Sequence, residues 1–301
     1  MARTYPASGP VRLKLNLADS SLTAALKAGT VSSPLITFDF SEPKIAHDGF
    51  KPMVREEAFD GGELAIVTFL QAKNYAKPYV LLPAAVVGRF QHATISYMAG
   101  RGIEKPKDME GRKVAVRAYT QTTGTWARGI LHHEYGVDLS GITWITTDDP
   151  HLAEYTDPAN VVRVSKAEKS LDQRMIDGEA DAGILGLNRP AHREAQLMIP
   201  DPEAAAEAWY AKYGCTHINH MFVVHQELAQ QRPDVVEELY RLLKESKAAA
   251  GLPKGKVDPL PFGFENVRRS INIIAQYAHE QKIVDRLFEV DDLFSDLTRE
   301  L

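Results

Sequence analysis

The feature that most constrains this chain is an alternation. Short apolar runs are followed, again and again, by segments with helical spacing. "VRLKLNL" (11–17) alternates as a half-buried strand does, and "DSSLTAALKAG" supplies helix caps and a stopping glycine. "LITFDF", "ELAIVTF", "YVLLPAAVV" and "HATISYM" read as further strands, with "GFKPMVREEAF" and "LQAKNYAKP" as short helices between them. The order continues as "KVAVRA", the helix "TTGTWARGILHHEYG", the strand "ITWIT", the helix "SLDQRMIDG" and the strand "DAGILG". After "THINHMFVV" the pattern turns helical through "PDVVEELYRLLKESKAAAG" and "FENVRRSINIIAQYAHEQ". Such alternation predicts an α/β fold with mostly parallel sheets.

A chain of 301 residues is long enough for two lobes. With 44% hydrophobic and 25% charged residues it has the composition of a globular protein rather than a disordered one. A formal net charge of −5 argues against broad nucleic-acid binding. The N-terminus "MARTYPASGPVRLKLNLADSS" lacks the apolar core of a secretory signal, and no run approaches a membrane span. No membrane partner and cytoplasmic residence are the expectations. The single cysteine, Cys215, leaves no intrachain disulfide and no cysteine-based zinc site.

One internal echo suggests two lobes of similar build: "AFDGGELAIVTF" (58–69) resembles "MIDGEADAGILG" (175–186). A common Asp-Gly helix stop would give the same likeness. Open α/β sheets take ligands beyond the carboxyl ends of their strands. The candidate positions are then Thr68–Phe69, Arg117–Thr125 and Gly186–Arg189.

The hydroxyl-rich turn of "VAVRAYTQTTGTWAR" is the first place to look for chemistry. It carries Thr120, Gln121, Thr122 and Thr123, with Arg117 before it and Arg128 after it. A helix N-terminus offers unpaired N–H groups and partial positive charge, which suits an anion, and an arginine can fork onto a carboxylate. Thr122 or Thr123 is expected to cap the helix; an N-cap among solvated threonines is the plainer alternative. No phosphate-loop motif is present, so a small carboxylate fits better than a nucleotide. "RFQHATI" places Arg89 and His92 at the start of a strand, and "THINHMFVV" places His217 and His220 before an apolar run. "GLNRPAHRE" delivers Arg189 after a buried strand. His132 and His133 are adjacent and face different ways on a helix, so no metal site is expected. No Gly-x-Ser-x-Gly elbow supports nucleophilic catalysis.

From about residue 85 onward the segments "RFQHATI", "GRKVAVRAYTQTTGTWARGILHHEYGV", "MIDGEADAGIL", "HMFVVHQEL" and "PFGFENVRRSINIIAQYAHEQ" resemble the 4,5-dihydroxyphthalate decarboxylase family. The likeness is weak over the first eighty residues. It implies an α/β, two-lobed fold of the type II periplasmic-binding-protein kind, with a ligand cleft between the lobes. It also implies non-oxidative decarboxylation of a hydroxylated aromatic carboxylate, with no cofactor. His92 and His220 match motif histidines and become the expected acid/base pair. The turn Thr120–Thr123 and Arg128 become the carboxylate site; Arg89, Arg117 and Arg189 join them by position. Three departures stand out: Gln91 where a second arginine is expected before the motif histidine, "RAY" where relatives read Pro-Glu-Tyr, and no arginine in "DSSLTAAL".

The expected partner is a small aromatic carboxylate, with a homo-oligomer open as a possibility. The second reading is a solute-binding protein that captures a small carboxylate for a transporter; an intracellular sensor domain is a third. The chain is divided into lobe 1, residues 1–95 plus 222–301, and lobe 2, residues 96–221, with crossings near 93–98 and 218–224. In the tail, Leu287, Phe288, Leu293 and Phe294 have helical spacing and are expected to cover the core.

Overall fold

The computed structural model describes residues 3–40, 45–255 and 257–301. In chain order the strands are β1 (Val11–Asn16), β2 (Ile36–Asp39), β3 (Gly61–Ala65), β4 (Tyr79–Gly88), β5 (Ile95–Met98), β6 (Lys113–Val116), β7 (Thr143–Thr146), β8 (Val161–Arg163), β9 (Ala182–Ile184), β10 (Ala195–Leu197) and β11 (Ile218–His225). The helices are α1 (Ser21–Lys27), α2 (Phe50–Glu56), α3 (Ile66–Asn74), α4 (Thr122–Tyr135), α5 (Leu171–Ile176), α6 (Pro202–Tyr213), α7 (Gln226–Gln231), α8 (Pro233–Ala249), α9 (Phe264–Glu280) and α10 (Asp296–Arg299). They form two units. Unit 1 holds Met1–Arg89, Cys215–Gln276 and Val284–Leu301; unit 2 holds Phe90–Gly214 and Tyr277–Ile283.

Unit 1 is built on the sheet β2-β1-β3-β11-β4. β1 runs parallel to β2 and β3, and β11 runs antiparallel to both β3 and β4. Leu13, Leu15, Phe222 and Val224 pack with Leu239, Leu242 and Leu243 of α8. That helix has its apolar residues at 235, 236, 239, 240, 242 and 243, the spacing of one buried face. Ser246 ties α8 to α1: its hydroxyl donates to the Leu22 carbonyl at 2.5 Å and accepts the Leu26 N–H at 3.2 Å. A buried hydroxyl that both donates and accepts incurs little desolvation penalty.

Unit 2 is built on the sheet β10-β5-β9-β6-β7-β8, with β9, β6, β7 and β8 parallel and β5 antiparallel to both its neighbours, β9 and β10. Trp126 is fully buried in edge contact with Trp209 at 6.1 Å and Tyr277 at 5.7 Å. The last turn of α9 therefore packs on α4.

The internal echo is structural, but it is displaced. Asp60 and Asp181, not Asp60 and Asp177, hold equivalent places. The Asp60 carboxylate accepts the Lys14 N–H at 2.7 Å and its own N–H donates to the Lys14 carbonyl at 2.8 Å. Asp181 does the same with Lys113, at 3.0 and 2.8 Å. β3 then lies beside β1 as β9 lies beside β6, with Leu15 opposite Gly61 and Val114 opposite Ala182.

Several sequence expectations need correction. "ELAIVTF" is not one strand: β3 stops at Ala65 and α3 begins at Ile66. Ile66 through Ala72 are all buried, so the helix loses the one-sided pattern that distinguishes it from a strand. The chain passes between units at 89–90 and 214–215, earlier than the expected crossings. Arg89 N–H still donates to the His217 carbonyl at 3.0 Å, and Ile218 pairs with Gly88, which keeps both segments in the unit 1 sheet. The assignment of 277–283 to unit 2 was not foreseen. In the tail, Phe288, Leu293 and Phe294 are buried while Leu287 is exposed.

Candidate functional site

In unit 1 the site begins where β1 ends. Asn16 is fully buried, and its amide nitrogen donates to the carbonyls of Ala46 and Glu63, both at 3.0 Å. Gly62 lets β3 come this close: it has φ +129°, and a Cβ there would meet the Asn16 carbonyl oxygen at 2.1 Å. The contact fixes the next residue, Glu63, which is buried within the otherwise apolar β3. One Glu63 oxygen lies 2.6 Å from His220 Nδ1, and the other accepts the Ala18 N–H at 3.2 Å. His220 enters from β11 opposite Ala65, with its ring edge on Phe50 at 5.2 Å. Its side chain keeps 23% exposure against 4% for Glu63.

This is a carboxylate–imidazole pair with a buried orienting end and an accessible working end. The carboxylate holds the Nδ1 proton, so Nε2 is the nitrogen left to exchange a proton with a ligand. Glu63 escaped the sequence reading. The available signal was an acidic residue inside a strand whose other positions are all buried, since such a residue is rarely buried without a partner.

In unit 2 the carboxyl ends of β6, β7 and β9 border a hollow of about 470 Å³. Arg117, Gln121, Thr147, Lys166, Ser170, Asp172 and Asn188 supply its polar lining, and Leu171, Ile184 and Leu185 an apolar one. Asp148 sits beside the two cations, 3.7 Å from Arg117 Nε and 3.7 Å from Lys166 Nζ. Such half-exposed pairs are weak and exchangeable. A lining that mixes cations and amides with aliphatic side chains suits a small ring that carries a carboxylate. Lys166 and Ser170 were not anticipated. Ser170 caps α5 through the Gln173 N–H, a role its position announces, whereas nothing in the sequence marks Lys166.

The expected capping of α4 is corrected. The N-cap is Gln121, which makes no side-chain cap bond, and Thr122 and Thr123 are the first two residues of the helix. α1 contrasts with it: Ser20 and Thr23 close a complete capping box there. Thr120, Thr122 and Thr123 are buried rather than solvated. Arg128 is fully buried beneath the same turn, donating from Nε to the Gln281 side-chain oxygen at 2.7 Å and from Nη2 to the Tyr119 carbonyl at 2.5 Å.

The remaining candidates separate. His92 is 2% exposed and opens a short 3₁₀ turn, not a strand; it borders a different hollow of unit 2 with Glu134, Tyr135, Trp209 and Lys212. Burial lowers its pKa to about 4, against the opposing pull of Glu134, so the imidazole is neutral at neutral pH. His220 belongs to unit 1 and His92 to unit 2. Arg89 is half-buried, and burial lowers its guanidinium pKa. Arg189 is exposed, one position beyond Asn188 of the hollow lining. His217 is fully buried.

No protein-family model matches the chain. Comparison with characterised proteins is more informative. The chain is 28% identical over 260 residues to 4,5-dihydroxyphthalate decarboxylase of Comamonas testosteroni, covering 79% of this chain and 78% of that protein. It resembles 4,5-dihydroxyphthalate decarboxylase over most of its length. The enzyme of the same name from Pseudomonas putida is 26% identical over 168 residues, 52% of this chain and 65% of that one. The similarity to these carboxy-lyases extends beyond the segments that first suggested it.

Solved structures share the fold at much lower identity. The aliphatic sulphonate binding protein of Escherichia coli superposes with a TM-score of 0.62 at 12% identity, covering 95% of this chain and 97% of that one. The alkanesulfonate-binding protein of Xanthomonas axonopodis pv. citri gives 0.58 at 13%, covering 96% and 99%. A desulfurization enzyme, DSZB, gives 0.56 at 13%, covering 95% and 97%. The fold is that of the periplasmic binding proteins, two α/β units, and both binding proteins and an enzyme are built on it. Fold alone does not choose between those functions.

Proposed function

We propose that this chain catalyses non-oxidative decarboxylation of a hydroxylated aromatic carboxylate, with 4,5-dihydroxyphthalate as the first compound to test. The observation that carries the reading is the Glu63–His220 pair. Capture of a small anion needs cations and N–H donors; it does not need a histidine oriented by a buried carboxylate. Proton transfer does.

The chemistry follows from the ring. A hydroxyl para to the departing carboxylate feeds electron density to the ipso carbon. His220, protonated at Nε2, delivers its proton there and a C–H bond forms. The C–C bond to the carboxylate then breaks, its electron pair restores the aromatic ring, and carbon dioxide leaves. Solvent returns the proton to His220. From 4,5-dihydroxyphthalate the product is protocatechuate. No electron sink is called for, because the ring itself holds the charge.

Within unit 2, Arg117 and Lys166, with the N–H groups opening α4, are suited to an anion, and Gln121 and Asn188 offer further hydrogen-bonding groups. His92 is not the proton donor in this account: an imidazole held neutral down to about pH 4 stores no proton at neutral pH. The second reading, carriage of a small carboxylate, draws support from the sulfonate-binding proteins that share the fold.

The test is to offer the purified protein 4,5-dihydroxyphthalate and a panel of hydroxylated benzoates and phthalates, following carbon dioxide and ring absorbance. Release from any of them supports the enzyme. Tight binding of a compound with no release supports carriage instead.

A further inference from the structure

Among the described residues, Arg128 is a buried cation without a counterion. It is 0% exposed, and among the described residues no carboxylate lies within ion-pair distance of it. Asp157 acts on it only from farther away, and that carboxylate is already paired with Arg163 at 2.5 Å. What holds the guanidinium is neutral. Nε donates to Gln281 Oε1, Nη2 to the Tyr119 carbonyl, and the plane lies over the rings of Tyr119 at 4.1 Å and Trp144 at 5.2 Å. Gln281 completes the frame by donating to the Thr125 carbonyl at 2.9 Å.

The third nitrogen, Nη1, makes no hydrogen bond. It points beneath the first turn of α4, 3.0 Å from where a Cβ on Gly124 would stand. A helix N-terminus carries partial positive charge, so a guanidinium below it is repelled rather than stabilised. A neutral amide, Gln281, occupies the place where a carboxylate would pair with the arginine. Two positive features thus converge on one turn, and neutral hydrogen-bond acceptors and aromatic rings, with no opposite charge among the described residues, offset the burial of the ion.

We infer that Arg128 and Gln281 are positioning residues, which keep an unneutralised positive charge under the α4 N-terminus so that the turn Ala118–Thr123 attracts an anion Arg128 does not itself touch. This rests on the proposal that the turn binds the substrate carboxylate. It adds a role for Gln281, which is to hold the guanidinium without cancelling its charge.

Gln281→Glu is the decisive substitution: it sets a carboxylate against the Arg128 guanidinium at the cost of the hydrogen bond donated to the Thr125 carbonyl. Binding of benzoate, inorganic sulfate and 4,5-dihydroxyphthalate would be followed by calorimetry, together with thermal unfolding and, where turnover occurs, KM and kcat. The expected result is at least about tenfold weaker anion binding, with an unfolding temperature above that of Gln281→Met. Any turnover should show KM raised and kcat within about twofold. Gln281→Met, which loses the hydrogen bonds but adds no charge, should lower the unfolding temperature and weaken anion binding clearly less than Gln281→Glu does. Unchanged anion affinity in Gln281→Glu would overturn the inference, as would failure of wild type to bind any of the three anions. Binding of benzoate or sulfate that weakens in Gln281→Glu, without turnover of the phthalate, would uphold the inference while removing support from the decarboxylase reading.

Discussion

His220 Nδ1 lies 2.6 Å from the buried carboxylate of Glu63, which faces it from the neighbouring antiparallel strand. A hydrogen bond of that length fixes both the ring plane and the tautomer. Glu63→Gln keeps the shape and gives the ring a partner that can donate, so the wrong nitrogen can carry the proton. We expect kcat to fall about a hundredfold or more with the fold intact. Steady-state kinetics beside a circular dichroism melt would check this, and an unchanged kcat would reduce the pair to a structural contact.

Arg117 and Lys166 are each 3.7 Å from Asp148. If they turn to a substrate carboxylate, Asp148 competes with it. Arg117→Leu should weaken carboxylate binding about tenfold, and Asp148→Asn should tighten it a few fold. Titration calorimetry with the best ligand of the panel measures both. Opposite signs are required; two losses would place Arg117 and Asp148 in a purely internal pair.

His92 gives the fold an acid-sensitive element. Its pKa is lowered from 6.5 to about 4 by burial, so between those values the unfolded chain binds a proton that the folded one does not. Stability is therefore full above about pH 6.5 and is lost as pH falls toward 4. The loss attributable to His92 is on the order of 2 kcal/mol, allowing for partial solvent screening. His225, whose pKa burial also lowers, acts in the same direction. Urea midpoints at pH 7 and pH 4.5 should lie closer together in His92→Gln than in wild type.

Gly129 faces the ring of Tyr277, where an added Cβ would come within 2.0 Å. Gly129→Ala should destabilise by about 2 kcal/mol through overpacking, and lower the unfolding temperature by several degrees. Activity per folded molecule should change little, since neither residue borders the Arg117 hollow. A melt unchanged from wild type would mean that α4 and α9 pack more loosely than described.

Much of the architecture was legible because apolar runs and helix caps follow local rules. β1, α1, β6, α4, α8 and α9 announce themselves by periodicity and punctuation. α3 did not, because burial on every side erases the helical pattern. The displaced Asp60–Asp181 equivalence was hidden for another reason. The Asp-Gly of the second copy ends a helix four residues earlier, and only strand pairing shows which aspartate closes on a lysine. At the site, Arg117 and Gln121 were marked by the turn that contains them. Glu63 and Gln281 were not, since each acquires meaning from a partner more than 150 positions away, His220 and Arg128. Lys166 stands in a charged loop where no local pattern separates it from its neighbours.

The central claim is that His220 passes a proton to a ring carbon as carbon dioxide leaves. The most direct measurement is carbon dioxide release from 4,5-dihydroxyphthalate by wild type and His220→Asn side by side, with ligand affinity of both proteins measured in parallel. The account predicts release by wild type, at least about a hundredfold slower release by the variant, and affinities within a few fold of each other. Equal release from both proteins, or binding by wild type with no release of carbon dioxide, would contradict it.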